Sequence, residues 1–332
     1  MRGQTLLHWN HNRESKNEVC INISVPDFIK SADQLSSGMK ECDDFMYIVE
    51  NYRDRTRFNG QYEGIHQFLL ENSDTGYNEH FHWGRFEWMM NHTFLDVDAL
   101  TSIAIVRNDK NQMVGLITYD TDYDDRFYLI HSIPDKDLLD TMIEYVMSKE
   151  KNPCIKVNDR DHSLVERLQR YAFSQNENED DHVLEFDLAK NLKYELPDDI
   201  RISPTDFEMD SWKYQMVIHK GFNNVGIPEK WDDEVLKPTS NYNPQLCVFA
   251  LSTQEYCAHC GIWYKQGNTA YIEPVVTIPE YRKMGLAKAV VYEAMKRAKK
   301  LGAKRAVVLS EQEFYYRLGF TDSSKFFSWK RK

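Results

Sequence analysis

The stretch Arg282-Lys283-Met284-Gly285-Leu286-Ala287 constrains this chain most. A strand-like run, Thr269 to Val276, precedes it, and a helix pattern, Ala287 to Leu301, follows. Strand, tight small-residue loop and helix start together form an anion site. Backbone N–H groups converge there, and the helix dipole adds roughly half a positive charge. Gly285 lets the backbone come close to a phosphate where a Cβ would obstruct. The helix is specified by one apolar stripe, Ala287, Val290, Val291, Ala294, Ala298 and Leu301. Glu293 and Arg297 form an i,i+4 pair, and Gly302 suits the residue after the helix. The cations Lys296, Arg297, Lys299 and Lys300 read as a solvated helix end.

A second run lies downstream, Phe314-Tyr315-Tyr316-Arg317-Leu318-Gly319-Phe320, with an apolar strand from Ala306 to Leu309 between the two. From Thr269 to Phe320 this order resembles the GNAT superfamily of N-acetyltransferases, most strongly over about residues 245–322. The resemblance implies that Arg282, Lys283, Met284, Gly285, Leu286, Ala287 and Lys288 hold the pyrophosphate of acetyl-CoA. It implies that Val275, Val276 and Thr277 pair with the pantetheine arm, as an added strand would. Tyr315, four residues before Gly319, matches the tyrosine that protonates the departing thiolate, and Tyr316 is the competing choice. Two departures stand out. Ala287 replaces a frequent Gly, and Ser310 to Glu313 lacks an Asn often found there.

Pro274 cannot donate to a ladder and marks an edge or bulge, which would free backbone groups for a ligand. Strand alternation puts Tyr271, Glu273, Val275 and Thr277 on one face. Glu273 is then the candidate base, acting directly or through water, with a solvated strand carboxylate as the alternative. His219, Asn223, Asn224, Trp231, Asp232 and Asp233 fall where the family shapes its acceptor pocket, although a polar helix surface explains them equally well.

The N-terminal half repeats the layout. Strands are expected at Ser102–Val106, Met113–Tyr119 and Phe127–Ser132, and a helix at Leu138–Met147. Ile133-Pro134 echoes Ile278-Pro279, and Arg170-Tyr171-Ala172-Phe173 echoes Arg317-Leu318-Gly319-Phe320. Such self-similarity predicts two copies of one domain. The chemistry is not repeated. Asp135, Asp137 and Asp140 stand opposite the phosphate loop, and Leu168 takes the place of Tyr315. The fold expected is α+β, two tandem GNAT-like domains, each a mixed, mostly antiparallel sheet flanked by helices. Residues 1–42 are expected to be a partly disordered extension, 43–190 a degenerate copy, 191–199 a linker and 200–332 the catalytic copy. Asn176 to Asp181 reads as an acidic loop. The first copy is expected to wall the acceptor cleft. An isolated segment from about 195 to 332 should then bind acetyl-CoA but lose acceptor selectivity or fold poorly.

Composition narrows the rest. The chain has 332 residues, 42% of them hydrophobic, and a net charge of −11 without a basic patch, which disfavours nucleic acid. No run is long enough to span a membrane, and Met1 to Lys16 lack a signal-peptide core, so a cytoplasmic protein is expected. Six Cys make no disulfide framework. Cys257-Ala258-His259-Cys260 has no second pair, and His80, His82 and His92 lack H-E-x-x-H spacing, so no metal is expected. The leading reading is acetyl transfer from acetyl-CoA to a small-molecule or peptide amine, in a monomer or homodimer. A non-catalytic acyl-CoA-binding or interaction protein is the alternative. Tandem aminoacyl transferases that use charged transfer RNA are a third class, disfavoured by the intact loop and the acidic balance.

Overall fold

The computed structural model describes residues 47–331 apart from 93–94, 122, 229 and 231–240. The expected extension, and Trp231, Asp232 and Asp233, lie outside the described residues. The first repeat runs β1 (Ile48–Asn51), α1 (Gly60–Asn72), α2 (Trp83–Asn91), β2 (Ala104–Arg107), β3 (Met113–Thr118), β4 (Arg126–His131), α3 (Lys136–Lys149), β5 (Cys154–Asn158), α4 (His162–Arg170) and β6 (Phe173–Asp187). The second runs β7 (Arg201–Ile202), α5 (Ser211–Gly221), β8 (Cys247–Leu251), β9 (Tyr256–Trp263), β10 (Thr269–Thr277), α6 (Leu286–Lys300), β11 (Arg305–Leu309), α7 (Glu313–Arg317) and β12 (Thr321–Arg331). Each repeat is a mixed sheet, antiparallel except at β4–β5 and β10–β11, with helices on its faces. The echoes are structural too. Ala172 and Gly319 both hold left-handed backbone, with φ of 64° and 94°.

All the described strands join one sheet, in the order β1-β2-β3-β4-β5-β12-β6-β11-β10-β9-β8-β7. Each repeat's last strand therefore sits in the other repeat's half. β12 lies between β5 and β6, and β6 lies between β12 and β11. The cores are completed the same way. Trp329 of β12 packs with Leu138, Met142 and Leu164 of the first repeat. Leu184 and Phe186 of β6 pack with Val290, Val291 and Phe320 of the second. Each such side chain contributes about 1.5–3 kcal/mol of burial, so neither repeat closes its core alone.

Two readings are corrected. Asn176 to Asp181 is not a loop but part of β6. Cations on the neighbouring strands pair with Asp180 and Asp181. Lys325 Nζ donates to Asp180 at 2.9 Å, and Lys156 Nζ to Asp181 at 2.6 Å. Arg297 is not a solvated helix end but is 5% exposed. Its guanidinium donates to the carbonyls of Gln245 and Ser203, pinning α6 to the segments before β8 and after β7.

Candidate active site

β10 and β11 pair in parallel only from Thr269 to Tyr271, and the seam between them opens beyond that point. On its other side β10 carries a bulge between Ile272 and Val275, where it passes Gly261 of β9. A Cβ on Gly261 would lie 2.7 Å from the Glu273 carbonyl oxygen, so the bulge needs glycine there. The extra residue changes which side chains share a face, and this corrects the alternation expected from sequence. Tyr271 pairs with Trp263 and, with Glu273, faces the first repeat. Val275 pairs with Cys260 and turns to the α6 side. The Thr277 hydroxyl is buried and has no hydrogen-bond partner among the described residues.

The loop after β10 could receive an anion. Lys283 and Gly285 both have left-handed φ, 65° and 81°, and alternation of this kind makes a concavity of N–H groups. Among the described residues, no side chain caps the N-terminus of α6, and nothing lies within 4 Å of a Cβ placed on Gly285. Arg282 stitches the loop in place through its side chain. Its Nε donates to the Thr277 carbonyl at 3.0 Å, and its Nη2 to the Gly221 carbonyl at 3.0 Å and to Asn223 Oδ1 at 2.8 Å. Leu286 is buried, Ala287 half-buried, and Met284 and Lys288 exposed.

The matching place in the first repeat is closed. Asp135 Oδ1 accepts from the N–H groups of Asp137 and Leu138 and so caps α3 with its own carboxylate. Asp140 is ion-paired to Arg167. The seam beyond the β4–β5 pairing is crossed by His131 Nε2, 2.8 Å from Asp161 Oδ2. The His131 carbonyl accepts from Asn78 at 2.8 Å. Leu168 is buried at the position matching Tyr315.

Tyr315 is 6% exposed, with its ring against Phe314 and Phe320. Burial raises its phenol well above the ordinary value, and the nearby Cys260 and Glu273 add to this. Among the described residues its hydroxyl has no hydrogen-bond partner. Tyr316 points elsewhere, its hydroxyl donating to Asp322 at 2.9 Å. Glu273 is not a lone strand carboxylate. Tyr271 Oη donates to its Oε2 at 2.8 Å, and Arg85 of α2 is ion-paired to its Oε1. Arg85 Nε also donates to both oxygens of Asp120, at 2.9 and 3.0 Å. Burial raises the Glu273 carboxyl pKa above the ordinary value, and Arg85 opposes that. Arg85 and Asp120 escape sequence reading, because Arg85 is 188 positions from Glu273 and no motif marks either residue.

His219 Nε2 lies 3.1 Å from the Gly226 carbonyl. His259, Cys257 and Cys260 are buried in β9, with His259 Nδ1 3.1 Å from the Val248 carbonyl. His80 and His82 are buried, and His92 is edge-on to Trp88. Among the described residues, no three His, Cys, Asp or Glu are grouped to hold a metal. No helix there is long and apolar enough to cross a membrane.

The model of the acetyltransferase (GNAT) family matches residues 212–320. No curated protein matches the chain. Among solved structures, a tandem GNAT protein from the clavulanic acid biosynthesis pathway superposes with a TM-score of 0.54 at 9% identity, covering 86% of this chain and 98% of that one. A GCN5-related N-acetyltransferase from Sphaerobacter thermophilus gives 0.51 at 12% identity, covering 86% and 95%. L-PGS from Bacillus licheniformis gives 0.50 at 8%, covering 84% and 93%. Identities this low speak for the fold alone. Residues 212–320 thus match the acetyltransferase (GNAT) family model, and the doubled fold of the chain is similar to that of a tandem GNAT protein.

Proposed function

We propose that this chain is an acetyl-CoA-dependent N-acetyltransferase with one working site, in its second repeat, acting on a primary amine of a small molecule or peptide. One observation carries the reading. The seam beside β10 runs open to an uncapped helix N-terminus, whereas its counterpart in the first repeat is crossed by His131 and Asp161 and self-capped by Asp135. The residues fit the donor. The left-handed pair Lys283 and Gly285 offers N–H groups to a pyrophosphate, and the orphaned Thr277 hydroxyl lines the strand that would receive the pantetheine amides.

Acetyl-CoA supplies an activated thioester carbonyl when bound. Val275, Val276 and Thr277 hold and orient it, and the N–H near Val276 is a candidate donor to the carbonyl oxygen. Glu273 takes a proton from the incoming amine, directly or through water. Tyr315 gives its hydroxyl proton to the departing sulfur. A phenol is protonated at neutral pH without any help from its surroundings, so the proton is there to give. Two carboxylates against one guanidinium leave the acceptor side net negative, which suits an amine that arrives as a cation. Thiol release from acetyl-CoA, followed across a panel of primary amines, tests the reading. Removing only the hydroxyl, as Tyr315→Phe, should lower turnover by about 10²–10⁴ with little change in acetyl-CoA affinity. Unchanged turnover would return Tyr315 to the core.

A further inference from the structure

The N-terminal repeat has its own donor seam closed, yet it reaches into the site of the other. α2 rests directly on β9 and β10. A Cβ added to Gly84 would fall 2.5 Å from Trp263 Cβ and 2.8 Å from Tyr271 Cδ1, so only glycine permits this approach. His82 fixes the start of the helix, its Nδ1 accepting from the Gly84 N–H at 3.0 Å. The same ring stacks on Tyr271, with centroids 5.0 Å apart and planes 15° apart. Tyr271 in turn holds Glu273 Oε2. Arg85, the next residue of α2, closes the circuit by bridging Glu273 and Asp120. These three charged side chains keep 17–21% of their surface exposed, so the cluster borders solvent rather than lying sealed in the core.

We propose that Arg85 is a positioning residue for the C-terminal site, with Asp120 as its anchor: the N-terminal repeat aims the Glu273 carboxylate at the acceptor side and sets its charge. This rests on the reading of Glu273 as the base. A fully exposed ion pair would be worth little, but this one is about four-fifths buried, doubly anchored and reached from a helix seated closely on β9 and β10 at Gly84. The two partners act in opposite senses. Arg85 favours the ionised carboxylate, and Asp120 disfavours it by like charge. Among the described residues, Tyr271 and Tyr315 also interact with Glu273, and both are neutral phenols. Tyr128 and His92 interact with Arg85 and Asp120, and both are uncharged near neutral pH, His92 because burial lowers its pKa to about 4.

The test is a pH titration of the Glu273 carboxyl by carbon-13 NMR, on the full chain labelled at glutamate Cδ and assigned by the signal lost in Glu273→Gln. Arg85→Met should move the midpoint up by about one pH unit or more, and Asp120→Asn should move it down. Arg85→Lys, which keeps the charge but lacks the planar fork that holds Asp120 by two nitrogens while reaching Glu273, should fall between wild type and Arg85→Met. If Arg85→Met fails to fold, Asp120→Asn and Arg85→Lys still decide. A Glu273 midpoint that ignores these changes, or moves the same way in Arg85→Met and Asp120→Asn, overturns the proposal. Calorimetry with acetyl-CoA on the same proteins separates the two ideas. Absent binding to wild type would sink the enzymatic reading while leaving the titration result standing. Intact binding with an unmoved Glu273 would sink this inference alone.

Discussion

His82 shows how much one side chain is asked to do. It caps α2, stacks on Tyr271 and is buried at 2% exposure. Its cap role needs a neutral ring with a free Nδ1 lone pair. Burial, with Arg305 nearby, lowers its pKa from 6.5 to about 3. His80 and His92 fall to about 4 and His259 to about 3, all chiefly by burial. The folded chain therefore binds fewer protons than the unfolded chain between these values and 6.5. The stability these groups give is complete above 6.5 and is lost as pH falls toward 4. Each such histidine costs about 1.4 kcal/mol per pH unit in that window. The urea midpoint should accordingly drop between pH 7 and pH 5. His82→Asn, which keeps a capping acceptor but cannot titrate, should show a shallower drop. An identical pH dependence in the variant would contradict the assignment.

At the scale of elements, two helix starts with the same place in the fold have opposite chemistry. α3 is capped by Asp135, and α6 is left open behind Gly285. Gly285→Asp should abolish acetyl-CoA binding in calorimetry, because it places a carboxylate where the pyrophosphate would lie and strains a left-handed residue. Binding within a few-fold of wild type would show that the loop is not the phosphate site. Much of this was legible in sequence. The helix expected from Ala287 to Leu301 is found at Leu286–Lys300, and the strand expected from Thr269 to Val276 at Thr269–Thr277. Periodicity and glycine placement carry that information locally. The bulge at Pro274 was legible as an irregularity, but its effect on facing was not. Alternation read straight through it puts Glu273 and Val275 together, and the register of β9 separates them. Arg85 was invisible because its partner is chosen by how two repeats pack, not by any spacing in the chain.

The whole molecule is two repeats that exchange their last strands. A sequence pattern at fixed spacing shows that a domain is doubled, but not which copy each final strand joins. The acidic run before Val183 misled for the same reason, since its counter-charges come from β12 and β5. The exchange has a consequence for dissection. A segment from 195 to 332 lacks β6, so β11 loses its neighbour and the α6 core loses Leu184 and Phe186. That segment should fail to give a soluble monomer with a cooperative melting transition. Co-expression with residues 43–190 should rescue it. A stable, cooperatively folded monomer from the segment alone would contradict the mutual completion of the cores.

On the proposed function, the doubled fold carries a single donor site, in its second repeat. Isothermal titration calorimetry of acetyl-CoA into the full chain tests it most directly. One site per chain is expected, lost in Gly285→Asp and retained in Asp135→Ala. Two equivalent sites, no binding, or one site that survives Gly285→Asp would contradict it.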